Sequence, residues 1–210
     1  MNILDVILAI ILGYLIGSIP NGYLIARLKG IDITQVESGR TGGTNVSRAL
    51  GWRYGVLVGA LDILKGTVAV VLARAIFGNH PDIYAALAGG FAVIGHNWSV
   101  FLGFRGGAGG ATAAGALLGL NLLAGAIMVP LFILILVVVR YASVATMSIG
   151  LGSLVILTIF YLLRVGDTPP EQIAFGVIAS AAILWALRPN IRRLRAGTER
   201  RITFRKSKKA

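Results

Sequence analysis

The sequence predicts an all-α integral membrane protein of about seven transmembrane helices, some of them short or re-entrant. Three observations carry this. Apolar residues make up 56% of the chain and charged residues only 13%, about half of the ~25% that wets an ordinary soluble domain. The mean hydropathy is +0.82. The net charge of +12 is gathered at the edges of apolar runs, with ten of the 20 Lys and Arg in residues 188–210 and five between Arg27 and Arg53. Basic residues confined to such edges form the positive-inside pattern of a membrane protein, and no nucleic-acid partner is expected. So apolar a composition excludes a water-soluble enzyme and a disordered chain. The absence of cysteine removes disulfides, thiolate metal sites and a cysteine nucleophile. The 28 glycines point to close helix packing or backbone-lined sites.

A spanning helix needs ~20 apolar residues, and residues 3–26 supply the first. Asp5 lies near its start, no basic stretch precedes it, and Arg27 and Lys29 follow at once. A retained helix is expected, with the amino end outside. After the polar segment 30–53, residues 54–77 form a second span, which turns at Gly78-Asn79-His80-Pro81-Asp82. Residues 83–102 return as a third. Between 111 and 163 only Arg140 is charged, and holding it inside requires two passes in residues 111–139. At about 1.5 Å per residue that stretch is too short for two full spans. Either the first is short and turns near Asn121, or it is re-entrant and shielded by protein. Residues 144–163 and 172–187 complete the set, joined by the outer loop 164–171. This arrangement leaves only Arg74, Arg164 and the intramembrane Lys65 off the inner side. Residues 1–199 read as one membrane-embedded domain and 200–210 as a basic cytoplasmic tail, which anionic lipid headgroups alone explain.

Three polar segments fall on the inner face. In residues 37–48, Ser38, Arg40, Gly42, Gly43, Thr44, Asn45 and Arg48 bring free backbone amides and guanidinium forks together. Amides form an anion nest and arginine adds bidentate charge, so the set suits phosphate; an ordinary loop with turn glycines is the alternative. The second segment, Arg105-Gly106-Gly107-Ala108-Gly109-Gly110-Ala111-Thr112, runs directly into an apolar helix, whose first-turn amides favour an anion. It lacks the lysine and the spacing of a Walker A loop. Just upstream, Gly95-His96-Asn97-Trp98 ends the third span; His96 is either a hydrogen-bonded structural residue or a ligand contact. The third segment holds Arg188, Pro189 and Asn190, then Gly197-Thr198-Glu199. Within the second span, Asp62 and Lys65 stand three apart and are able to pair; buried charge of this kind is either a structural ion pair or functional. Arg140, Ser143 and Thr146 open the sixth span.

These pieces resemble the bacterial membrane glycerol-3-phosphate acyltransferases that use acyl phosphate as donor. The likeness runs over about residues 11–199. It rests on Gly17-Ser18-Ile19-Pro20-Asn21-Gly22-Tyr23, Ser38-Gly39 with Gly42 and Thr44-Asn45…Arg48, Leu61-Asp62-Ile63-Leu64-Lys65-Gly66, Gly95-His96-Asn97, Gly106-Gly107 with Gly109 and Ala111-Thr112, and Asn190-Ile191…Arg193-Leu194…Gly197-Thr198-Glu199. The resemblance implies a seven-helix enzyme of the bacterial cytoplasmic membrane, with its site at the cytoplasmic face. It would transfer an acyl chain to the 1-hydroxyl of glycerol 3-phosphate. Membrane lipids surround it, and the soluble enzyme that makes acyl phosphate is a candidate partner. No cofactor and no metal are implied. Ser38, Asn45 and Arg48 are the expected catalytic residues. Arg40, Gly42, Gly43, Thr44, Lys65, His96, Asn97, Arg105, Gly106, Gly107, Gly109, Thr112, Ser143, Arg188 and Asn190 are expected to bind substrate, with Asp62 and Glu199 structural. The chain departs from the family pattern where Arg40 replaces asparagine, Gly43 alanine, Ser99 proline, Ala108 lysine and Leu187 histidine. An inactive or retuned paralogue that binds lipid or anion, and a small transporter lined by Asp62 and Lys65, remain as alternatives.

Overall fold

A computed structural model of the chain describes residues 2–78 and 80–202; residues 203–210 of the expected basic tail lie outside them. Its helices are α1 (Ile3–Ser18), α2 (Asn21–Leu28), α3 (Gly43–Leu50), α4 (Trp52–Ile76), α5 (Pro81–Asn97), α6 (Gly110–Leu120), α7 (Leu122–Val138), α8 (Ala142–Leu162), α9 (Gln172–Ala186) and α10 (Arg188–Arg195). Among the described residues there is no strand beyond an isolated bridge between Ser99 and Arg105. Three stretches are long and apolar enough to cross a membrane: Ile3–Leu28, Trp52–Ile76 and Ala142–Leu162. Helices α9 and α10 pass the same test together across a 63° bend, and α6 and α7 are shorter apolar helices.

Local chemistry sets the breaks. The first run, expected as one helix, is interrupted at Ile19-Pro20, because proline cannot donate the bond that would continue α1. Residues 111–139 divide into two helices at Asn121, and the first of them is short and mostly buried against its neighbours. α6 stops at Leu120, and the side chain of Asn121 accepts from Ala124 N at 3.0 Å to cap α7. The third run ends at Asn97 rather than near residue 102. There Ser99 N donates to Arg105 O and Phe104 N to Ser99 O, so a tight turn takes over the backbone bonds. Residues 43–50 and 188–195, read as polar segments, are short helices.

Size segregation inverts the pattern of a soluble core. The buried interior is rich in alanine (Ala85, Ala86, Ala113, Ala114, Ala116, Ala179), while Leu122, Val138 and Leu162 are exposed on the periphery. Small interior residues let backbones touch, and large apolar ones face lipid. A Cβ at Gly13 or Gly17 would overlap the backbone of Ala88 or Ala92, and one at Gly66 the Thr112 carbonyl. These pairs press α1 onto α5 and α4 onto α6.

The bundle has two polar ends. At one, Arg74 donates to Asp82 and to the Gly119 and Leu120 carbonyls that terminate α6, while Asn121 donates to Thr168 and Gln172. At the other, the three polar segments meet.

Candidate active site

The first segment is organised by one buried side chain. Asn45, on the first turn of α3, donates through Nδ2 to the carbonyls of Ile33 (3.3 Å), Val36 (3.0 Å) and Arg40 (2.8 Å). Its Oδ1 accepts from Ser38 N at 3.4 Å. Through these bonds Asn45 shapes the loop. Ser38 is exposed, and its Oγ accepts from Arg40 N at 3.4 Å. Gly43 packs onto the Gly55 carbonyl, where a Cβ would sit only 2.5 Å from the oxygen, and Gly42 caps α3 with open space at its Cβ position. Thr44 and Arg48 are half-buried on the same helix.

The second segment is joined to the first by the backbone: Thr41 N donates to Gly106 O at 3.3 Å. Gly107 N donates to His96 O at 2.9 Å, and a Cβ at Gly107 would collide with the His96 ring at Nε2. The glycine therefore allows the loop to lie flat against the imidazole. Gly109 adopts φ +81°, a left-handed conformation that glycine takes without steric cost, and it caps α6. Thr112 is buried on the first turn of α6, with no hydrogen-bond partner for its hydroxyl among the described residues.

Arg40 carries the first segment across to the third. Its Nη2 donates to the Ala186 carbonyl at 2.6 Å and to Asn190 Oδ1 at 3.1 Å. Ala186 ends α9, where the last carbonyls lack partners within the helix and a cation is favoured. Asn190 donates in turn to Glu199 at 2.7 Å, and Glu199 also accepts from Arg193 at 2.8 Å and Ser143 at 3.0 Å. Burial opposes ionisation of Glu199, but the bonds from Asn190, Arg193 and Ser143 outweigh it and hold the carboxyl below its ordinary value. Burial, helped by the charge of Arg193, lowers the pKa of Arg40 despite Glu199. Its guanidinium forms no ion pair within reach among the described residues.

Beneath these loops lies a buried charged cluster. Lys65 Nζ stands 3.0 Å from Asp62 Oδ1 and donates to the Ile19 carbonyl at 2.8 Å. Asn21 Nδ2 donates to the same Asp62 oxygen at 3.1 Å, and His96 Nδ1 lies 3.6 Å from it. The expected pairing of Asp62 with Lys65 is present. Through the Ile19 carbonyl the same ammonium also clamps the α1–α2 break, since a buried ammonium takes the nearest carboxylate and carbonyl.

Arg105 is exposed, and Arg188 is exposed over the ring of Trp185, so neither guanidinium lies in the buried centre. Sequence reasoning gave no role to Thr41, Asn21, Arg193 or the Ala186 carbonyl, although Asn21 and Arg193 stand in the motifs that carry the resemblance. Only the hydroxyl content of its segment hinted at Thr41, and a backbone carbonyl leaves no trace in sequence.

The chain matches the family model described as glycerol-3-phosphate acyltransferase over residues 7–197. A protein of that name from Chlorobium phaeobacteroides is 41% identical, covering 96% of this chain and 98% of its own length. One from Thermus thermophilus is 40% identical, covering 92% and 93%. The crystal structure of PlsY (YgiH), described as an integral membrane glycerol 3-phosphate acyltransferase, superimposes in its glycerol 3-phosphate form with a TM-score of 0.82 at 35% identity, covering 94% of this chain and 96% of that one. Its lysophosphatidic acid form gives 0.79. Alike in fold and over nearly the whole length, the chain belongs to the glycerol-3-phosphate acyltransferase family.

Proposed function

We propose that this protein moves an acyl chain from acyl phosphate to the 1-hydroxyl of sn-glycerol 3-phosphate, giving lysophosphatidate and phosphate. The hydroxyl oxygen bonds to the acyl carbon, the carbon–oxygen bond to phosphate breaks, and the leaving phosphate takes the electron pair. The hydroxyl proton ends on that phosphate, so the products balance without a protein nucleophile. Acyl phosphate is already activated, which leaves the protein the tasks of orientation and charge stabilisation.

The observation that carries this reading is Arg40, a largely buried guanidinium with no carboxylate beside it, set against two glycine loops. A buried charge without a counter-ion is expensive, and a substrate phosphate supplies one. Lys65 is committed to Asp62 and Arg193 to Glu199, so Arg40 takes the role of the cation missing at Ala108. Arg48, half-buried on α3, is assigned to the second phosphate, and Ser38 orients the substrate from the rim. Gly42, Gly43 and Thr44 at the start of α3, with Gly106, Gly107, Gly109 and Thr112, line the cradle. Asn45, His96, Asn190, Ser143 and Glu199 hold its walls.

In this reading the chain makes about seven passes, with α6 and α7 as an unequal pair and α9 bending into α10. The amino end lies outside. The polar end, which carries Arg27, Lys29, Arg53, Arg140 and the arginines of α10, faces the cytoplasm of a bacterial cell and its anionic lipid. Residues 1–199 form the catalytic domain and 200–210 the tail. The soluble enzyme that makes acyl phosphate is the natural supplier of the donor. A transporter lined by Asp62 and Lys65 is disfavoured, since both charges are spent on holding helices together.

The test is phosphate release from palmitoyl phosphate by purified protein, with and without glycerol 3-phosphate, beside Arg48→Ala. Acceptor-dependent release that falls in the variant is expected. No acceptor-dependent release from folded wild-type protein would reject the reading, and full activity in Arg48→Ala would reject that residue's role.

A further inference from the structure

Besides Thr112 Oγ1, two buried polar atoms near the second glycine loop lack a protein partner among the described residues, and they are of opposite kind. Arg40 Nη1 is a donor and Asn97 Oδ1 an acceptor. Each side chain is fixed by its other nitrogen: Arg40 Nη2 donates to Ala186 O at 2.6 Å and Asn97 Nδ2 to Ala182 O at 3.3 Å. The second bond also settles how the amide faces, because a flip would set oxygen against a carbonyl. Ala182 and Ala186 are one turn apart on α9, which separates their carbonyls by about 6 Å along the helix. Gly109 lies against Asn97, for a Cβ built there would stand 2.9 Å from Oδ1. The free acceptor thus faces the loop that opens α6, and Asn97 is only 4% exposed.

A buried acceptor without a donor costs about 1–3 kcal/mol, and the chemistry of a ligand that removes that cost is restricted. A fully ionised phosphate has no hydrogen to give, whereas an alcohol has. The free N–H of Arg40 asks for the reverse, an anionic oxygen. We propose that Arg40 and Asn97 recognise the two ends of a polyol phosphate, Arg40 Nη1 donating to a phosphoryl oxygen and Asn97 Oδ1 accepting from the hydroxyl on C2. This rests on the acyl-transfer reading above and deepens it. The reacting hydroxyl is the wrong partner for Asn97, since it loses its hydrogen on becoming an ester and an amide oxygen is too weak a base to take it. The acyl phosphate has no hydroxyl and does not compete for Asn97. The residue therefore sets which acceptor is used and leaves the chemical step to others.

The experiment compares kcat/KM for sn-glycerol 3-phosphate with that for 1,3-propanediol monophosphate, which keeps the phosphate and a primary hydroxyl but lacks the one on C2. Wild-type protein is expected to prefer glycerol 3-phosphate by about tenfold to a hundredfold. In Asn97→Ala the preference falls to within about threefold, because only the natural acceptor loses a bond. Arg40→Lys lowers both values together, since both acceptors carry the phosphate. If Asn97→Ala does not fold, Asn97→Ser, whose oxygen falls short of the loop, is measured the same way. A preference in the variant equal to that of wild type would mean a packing role for Asn97 and would overturn the inference alone. Turnover of neither acceptor by folded wild-type protein would overturn the acyl-transfer reading and this inference with it.

Discussion

Lys65 and Ile19 are 46 residues apart in sequence, and the Lys65 ammonium donates to the Ile19 carbonyl at 2.8 Å. That carbonyl stands where Pro20 interrupts the first span, and the same ammonium lies 3.0 Å from Asp62. One buried cation thus ties α4 to the α1–α2 break and fixes the floor on which the glycine loops rest. Lys65→Met would leave Asp62 buried without its cation, a loss of about 3–5 kcal/mol. A marked fall in melting temperature in detergent is the expected result, partly relieved in Lys65→Met with Asp62→Asn. Unaltered melting with a raised KM would instead make Lys65 a substrate ligand.

Arg40→Asn removes the tie to Ala186 and Asn190 together with the positive charge. The KM for glycerol 3-phosphate should rise by about tenfold or more, the range for a hydrogen bond to a charged group. The KM for acyl phosphate should change much less. Initial rates with each substrate varied in turn measure both, and an unaltered acceptor KM would remove Arg40 from the phosphate site.

The Glu199 carboxyl is held below its ordinary value of 4.5. A lowered carboxylate pKa stabilises the folded state above the unfolded-state pKa, and the gain is lost as pH falls through the native value. The melting temperature of wild-type protein should exceed that of Glu199→Gln by a constant margin at neutral pH. The margin should shrink below about pH 4.5. A margin that persisted into acid would assign the effect to neutral hydrogen bonds from Asn190 and Ser143.

Two glycines of α4 should behave oppositely. A Cβ at Gly66 would overlap the Thr112 carbonyl of α6, whereas nothing lies within 4 Å of one at Gly59. Gly66→Ala is expected to destabilise by about 1–3 kcal/mol through forced separation of the helices. Gly59→Ala should be neutral or stabilising by about 0.5–1 kcal/mol, the usual gain on replacing a mid-helix glycine. Thermal melting of the two variants in one detergent compares them directly.

Much of the architecture was legible because the bilayer imposes it. Charge at the edges of apolar runs marked where helices end, and the shortage of residues between Ala111 and Val139 announced the turn found at Asn121. The helices α3 and α10 were not announced, since each is only eight residues long and mostly polar, too short for an apolar stripe to be told from a loop. The first glycine loop was recognisable from its composition. The division of labour within it was not: Asn45 and Arg48 look equally suited to chemistry in sequence, and only the carbonyls of Ile33, Val36 and Arg40 around the amide separate them. The tie from Arg40 to Ala186 was illegible for the same reason, because one of its partners is backbone.

The central claim is that one end of the helix bundle holds the phosphate of the acceptor, and thermal stabilisation by glycerol 3-phosphate tests it most directly. A ligand that binds only the folded state raises the melting temperature as its concentration exceeds Kd. The shift should be present in wild-type protein and in Arg164→Gln, which alters an exposed arginine at the opposite end. It should be sharply reduced in Arg40→Asn and Arg48→Ala. Equal shifts in Arg40→Asn, Arg48→Ala and wild-type protein, or a shift lost in Arg164→Gln alone, would contradict the account.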